Sequence, residues 1–151
     1  MPFVKIWIHL IWSVKYRQSI LEKDIRRKLF DHISEYARNK DIHLDCINGY
    51  DDHVHVLLSL KADHSISKVT QLLKGESSHW VNSVKLIPFR FEWQEEYFAM
   101  SVDDHRIVAV RDYISGQEEH HRKKTFAEEY GELIREFNAI GKGLKPQEMP
   151  G

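Results

Sequence analysis

A single cysteine, Cys46, means that no intrachain disulfide can form, a composition expected of a protein that works in a reducing cytoplasm. No apolar run approaches the ~20 residues that a membrane-spanning helix needs. The opening "MPFVKIWIHLIW" alternates apolar and polar residues around a lone Lys5 and lacks the solid apolar block of a signal peptide. A soluble, cytoplasmic protein with no membrane partner is expected. Charge is balanced as well: 22 Lys and Arg against 23 Asp and Glu give a net charge of −1. Bulk electrostatics therefore recruit no polyanion, and any nucleic acid must be held by local patches. There is no low-complexity segment, no internal repeat and no glycine-rich phosphate loop. Only "GKGLKPQEMPG" reads as a frayed end, so residues 1–140 are expected to form one domain and 141–151 a flexible tail.

Ten histidines are an excess for 151 residues, and they cluster. In "YDDHVHVLLSL" strand alternation sends Val54, Val56, Leu58 and Leu60 to one face and His53, His55, Leu57 and Ser59 to the other. Two imidazoles on one strand face can be a half-exposed sheet surface or a ligand pair, and the rest of the chain has to decide.

From Phe3 to Tyr16 the even positions are apolar, predicting a long first strand with one core face. Leu21, Ile25, Leu29, Ile33 and Tyr36 then follow helical spacing. Ile42, Leu44 and Cys46 alternate into a turn at "GYDD", which predicts a hairpin with the histidine strand. Ser65 reads as the N-cap of a second helix that stops before Pro88, and Phe89, Phe91, Trp93 and Tyr97 read as a fourth strand. The order strand, helix, strand, strand, helix, strand is that of the ferredoxin-like fold, an α+β βαββαβ unit with an antiparallel sheet and both helices on one face. Strands one and three then lie in the middle. His53 and His55 are expected at the centre of an open sheet face, with His9 beside them.

Beyond the sixth element, Ser101 and Asp104 match a capping box, predicting a helix that carries Tyr113 and Gln117 four residues apart. Gly116 is a poor residue inside a helix, costing about 1 kcal/mol relative to alanine. "HHRKK", residues 120–124, ends that stretch in positive charge, which serves either the helix dipole or a phosphate. A last helix, "FAEEYGELIREFNAI", reads as structural.

His53-Val54-His55 in a central strand, followed by "YISGQEEHH" on a later helix, resembles the HUH endonucleases, specifically the single-tyrosine TnpA-type (IS200-like) transposases of small insertion sequences. "HLIWSVKYRQSIL", "QLLKGESS" and "FEWQEEYFAMSV" resemble the same family in the same order. Glycines usual in the family around "EEYFAM" are replaced here by Glu96, Tyr97 and Phe98, and Glu76 stands where a basic residue would suit DNA.

The resemblance implies a transposase that cuts and rejoins single-stranded DNA at element ends and recognises short hairpins there. Tyr113 would be the nucleophile, releasing a 3′-hydroxyl and keeping a 5′-phosphotyrosine. His53, His55 and Gln117 would hold Mg²⁺ or Mn²⁺ weakly, two imidazoles and one amide oxygen leaving room for phosphate and water. Lys5, Trp7, Lys15, Lys68, Lys74, His120 and Arg122 are DNA-contact candidates by residue type. A homodimer is expected, both from the resemblance and because Ile107, Val108 and Ile114 need cover, with Tyr113 of one subunit meeting His53 and His55 of the other. Two competing readings are a domesticated, non-mobile relative that binds hairpin DNA or RNA without transposing, and a phosphoesterase that uses paired histidines without a covalent intermediate.

Overall fold

A computed structural model describes residues 2–121 and 124–141. The chain divides into two compact units, residues 1–118 and 119–151. The first contains β1 (Ile6–Ser13), α1 (Lys23–Asn39), β2 (His43–Gly49), β3 (His53–Leu60), α2 (Ile66–Val84), β4 (Phe98–Val102) and α3 (Ile107–Ser115). Then follow α4 (Gln117–His121), which begins at the end of that unit, and α5 (Phe126–Gly141). The expected tail, apart from Gly141, lies outside the described residues. Among the described residues no helix is long and apolar enough to cross a membrane.

The sheet order is β2-β3-β1-β4 and every pair is antiparallel, so β1 and β3 are central, as the ferredoxin-like order requires. Register sets Leu10 opposite Val56 and Trp12 opposite Val54. These residues share one face with Ile8, Val14 and Leu58, and that face forms the main core with Leu29, Ile33 and Ala37 of α1 and Val69, Leu73 and Val81 of α2. Burying each such aliphatic side chain contributes about 1.5–3 kcal/mol. Ser65 caps α2 as expected, its hydroxyl accepting from the Lys68 amide at 3.1 Å. Glu76 faces α1, 2.9 Å from His32 Nε2. The β2–β3 hairpin closes tightly at Gly49, where an added Cβ would sit 2.1 Å from the His53 carbonyl oxygen. Only glycine fits that approach.

Five expectations need correction. β1 is shorter than Phe3–Tyr16: Val4 and Ile6 are exposed, and Tyr16 is exposed in a 3₁₀ turn with positive φ. The fourth strand is Phe98–Val102, and residues 89–97 are an extended strap whose alternation marks anchors rather than a ladder. Phe91 and Trp93 plug the helix-side core, with Trp93 edge-on to Trp12 and its indole N–H donating to Ser77 at 2.9 Å. The Asn82 side chain brackets the Phe91 backbone with two hydrogen bonds, and Lys74 Nζ donates to the carbonyls of Gln94, Glu95 and Glu96. Side-chain donors from α2 thus supplement a short antiparallel bridge between Trp93 and Val14, where the Gln94 amide donates to the Ser13 carbonyl at 2.8 Å and the Lys15 amide to the Glu92 carbonyl at 3.0 Å.

The capping box is absent as well. Ser101 belongs to β4, and a 3₁₀ turn at Asp104–Arg106 leads into α3. Nor is the histidine face of the sheet open. α3 lies across it, with Ile107 and Ile114 buried on Leu57 and flanked by Trp7, Cys46, Val102 and Val110. The apolar residues thought to require a second subunit are covered within the chain, apart from the exposed Val108.

Candidate active site

Alternation along β3 turns His53 and His55 away from the main core, toward the side that α3 covers, and both are fully buried. Two polar ties hold α3 there. Arg111 makes a bidentate pair with Asp45 of β2, both N···O distances being 2.7 Å, and the Asn48 amide donates to the Ser115 carbonyl at 3.1 Å. The hydrogen bonds from Arg111 keep the Asp45 carboxyl below its usual pKa. Burial pushes the neighbouring Cys46 thiol up to about 11, so it stays protonated at neutral pH.

Docked in this way, α3 sets the Tyr113 ring edge-on to His55 and His9, with centroids 5.7 and 6.1 Å away. α3 ends at Ser115, and Gly116 forms a turn before Gln117 opens α4, so the expected single helix is broken between the two residues. The break still leaves Gln117 buried, with Oε1 3.0 Å from His53 Nε2. Arg26, itself buried in α1, reaches the next residue, Glu118, at 2.6 Å and so fixes the start of α4.

Asp52 and His9 complete the nest. His53 Nδ1–H donates to Asp52 Oδ1 at 2.7 Å, which leaves the lone pair on Nε2. Nε2 and Gln117 Oε1 are then two electron-pair donors facing each other at 3.0 Å, an arrangement that a proton or a shared cation satisfies. Neighbouring donors of a shell with ~2.1 Å bonds stand about 3.0 Å apart, so this pair fits a small divalent ion. His55 Nδ1 lies 2.8 Å from His9 Nε2; donation by His55 would leave its own Nε2 with the lone pair that a ligand needs. The sequence had raised His9 and missed Asp52, although a carboxylate next to a histidine pair was there to be read. His120, His121 and Glu129 also bring their possible ligand atoms within 4.8 Å of one another, so a histidine and glutamate cluster able to coordinate a divalent metal is present.

The DNA-contact candidates are dispersed. Lys5 pairs with Asp104 before β1, and Trp7 is half-buried edge-on to His43. Lys15, beyond the other end of β1, pairs with Glu92 at 2.9 Å. Lys15 and Lys74 do share one groove with Tyr16, Arg90, Trp93 and Tyr97, and burial lowers the Lys74 pKa. Lys68 lines a different, smaller hollow with Lys40 and His64. His120 pairs with Glu129, and Arg122 lies outside the described residues.

Residues 3–117 match the family described as "Transposase IS200 like". The chain belongs to that family. It is 25% identical over 122 residues to the ISDra2 transposase TnpA of Deinococcus radiodurans, an overlap of 72% of this chain and 81% of that one. Among solved structures it is similar to a transposase crystal structure from D. radiodurans R1, with TM-score 0.62, 27% identity, and coverage of 77% and 93% of the two chains. It also shares its fold with the REP-associated tyrosine transposase bound to a REP hairpin, at TM-score 0.58 and 13% identity over 100% of this chain and 88% of that one. This IS200-like protein is a metal-dependent DNA transposase of the HUH single-tyrosine type.

Proposed function

We propose that Tyr113 is the nucleophile of this transposase and that His53, His55 and Gln117 are its metal ligands. The observation that carries the reading is the buried nest in which His53 Nε2 faces Gln117 Oε1 at 3.0 Å while the Tyr113 ring stands over His55. A bound Mg²⁺ or Mn²⁺ would supply Lewis-acid stabilisation of charge on the phosphate oxygens. With two imidazoles and one amide, the protein leaves positions for substrate oxygen and water.

The chain's own groups do the rest. Asp52 holds the His53 tautomer, and His9 holds His55. Tyr113 Oη attacks phosphorus, the P–O3′ bond breaks, the phenolic proton is lost, and a proton goes to the departing 3′-oxygen. The 5′-phosphate stays on tyrosine. A second 3′-hydroxyl reverses the step, so strands are rejoined without nucleotide hydrolysis.

The substrate on this reading is single-stranded DNA with a hairpin near the cut, supported by the fold shared with a hairpin-bound relative. The domain responsible is assigned to residues 1–140, and the groove lined by Lys15, Lys74 and Arg90 is the strongest of the phosphate-contact candidates. A homodimer rests on the family resemblance alone, since the chain covers Ile107 and Ile114 by itself. A trans active site would require α3 to leave Asp45 and Leu57, whereas one chain already sets Tyr113 against its own His55.

The test is incubation with hairpin-ended single strands and Mn²⁺, followed by denaturing electrophoresis. A protein–DNA adduct forms with the wild type and not with Tyr113→Phe, which still binds the strand. Cleavage by the variant without an adduct would assign the chemistry to a phosphoesterase instead. Mixing inactive Tyr113→Phe with inactive His53→Ala under subunit exchange separates the two arrangements, because only a trans heterodimer regains an intact site.

A further inference from the structure

Along α1 the buried residues Arg26, Leu29, Phe30, Ile33 and Ala37 recur at helical spacing, so an arginine occupies a position where the amphipathic pattern calls for an apolar side chain. Arg27 and Lys28 beside it are exposed. The Arg26 side chain is only 10% exposed. A buried guanidinium is costly unless its donors are matched and a countercharge is near. Here Nη1 donates to the Leu21 carbonyl at 3.1 Å and Nη2 to Glu118 Oε1 at 2.6 Å, and the guanidinium carbon lies 5.2 Å from the centre of the Tyr50 ring.

These partners lie at the bases of the two arms that meet in the catalytic nest. Tyr50 opens the turn that leads into β3, and its amide donates to the His53 carbonyl at 3.1 Å. Leu21 holds the same turn, its N–H donating to the Asp51 carbonyl at 2.8 Å. Glu118 follows Gln117 directly. One planar fork therefore spans from the foot of the His53 strand to the foot of Gln117, whose ring nitrogen and amide oxygen face each other at 3.0 Å. α3 ends at Ser115, so its docking on the sheet does not reach Gln117 through an unbroken helix. Arg26 supplies a hold on the far side of that break.

We propose that Arg26 is a positioning residue for the metal site: through Glu118 on one side and the Tyr50 turn on the other, it sets the separation of His53 and Gln117 and with it the affinity for the divalent ion. The inference rests on the reading of Gln117 as a ligand. An apolar side chain of similar volume would fill position 26 without the cost of burying a charge, and buried ion pairs replaced in that way often leave stability unchanged or higher. What such a side chain cannot do is tie both arms at fixed distances. Metal affinity and fold stability should therefore respond differently to the loss of the guanidinium.

The experiment titrates the full chain, stripped by chelator and free of DNA, with Mn²⁺, reading the unbound ion by electron paramagnetic resonance and the denaturant unfolding midpoint in parallel. Arg26→Met and Glu118→Ala should each weaken Mn²⁺ binding by about 10–100-fold, as loss of a group that orients a ligand does, with the midpoint near that of the wild type. The Glu118 side chain is 43% exposed, so its variant folds whether or not the buried position tolerates methionine. The double variant should bind no more weakly than either single one, because both changes cut the same tie. Wild-type affinity in the single variants, losses that simply add, or a midpoint that falls in step with affinity overturns the inference. Gln117→Ala is the reference. Unchanged affinity there overturns the ligand reading and this inference with it, whereas weakened affinity there beside unchanged affinity in the Arg26 and Glu118 variants overturns this inference alone.

Discussion

The two faces of the sheet solve different problems with the same strands. Toward α1 and α2, Leu58, Leu10, Trp12 and Val56 pack into the main apolar core, and the face is held by area. Toward α3, Leu57, Ile107 and Ile114 form a much smaller cluster, and the rest of the face holds histidines, a carboxylate and an amide at hydrogen-bonding distances. The first face can accept any well-packed hydrophobic set of the right volume. The second has to keep polar atoms in register, so it relies on directional ties: Asp45 to Arg111, Asn48 to Ser115, Arg26 to Glu118. Stability is concentrated on one side of a four-stranded layer and chemistry on the other.

This contrast can be broken most sharply at His53. His53→Ala should lower adduct formation by about 10³-fold, some 4 kcal/mol of barrier, while circular dichroism shows the sheet retained. A protein that stays active would make the histidine face an ordinary second core. Next in size is a pair of neighbours on opposite faces. Leu58→Ala should cost about 3 kcal/mol in denaturant unfolding and leave cleavage by the remaining folded protein unchanged. Leu57→Ala should destabilise less, because its cluster is smaller, yet reduce cleavage by loosening α3. Equal behaviour of the two would erase the distinction.

The helix-side face was legible in the sequence because periodicity reports burial, and burial there has a single cause. Leu21, Leu29 and Ile33 were all marked by spacing and are all core. The strand order and the central position of His53 followed from the same pattern. The alternation of Phe89, Phe91 and Trp93 misled, since anchors on an extended strap and residues in a strand share a period of two, and only the side chains of Asn82, Ser77 and Lys74 tell them apart. The covered histidine face was illegible for another reason: nothing in the local sequence of α3 says which surface it will meet. Its docking depends on Asp45 and Arg111, 66 residues apart.

A smaller effect isolates that docking. Asp45→Asn should raise amide exchange in α3 several-fold while α1 and α2 keep their protection. The pH dependence has a definite sign. Because the Asp45 pKa is depressed in the folded protein, its contribution is complete above the unfolded value of about 3.9 and is lost as pH falls through the depressed one. Wild type and variant should therefore differ at pH 7 and converge in acid. A difference that grew toward low pH would exclude the ion pair as the tie. The smallest effect concerns Cys46, on the same face: with its thiol raised to about 11 it should resist alkylation at pH 8 in the wild type and become reactive in Asp45→Asn as α3 opens.

Gly49 makes no contact with any substrate group described above, and yet a side chain there would collide with the carbonyl of His53, at a hypothetical separation of 2.1 Å. In a saturation-mutagenesis survey of transposition this codon should behave like those of the reactive residues, nearly every replacement being lost from the surviving pool. The cause would be different. Relieving the collision means opening the hairpin, which moves the backbone that bears the first imidazole. Ranking positions by distance from the chemistry would overlook it, whereas ranking them by the room left for a methyl group would place it first.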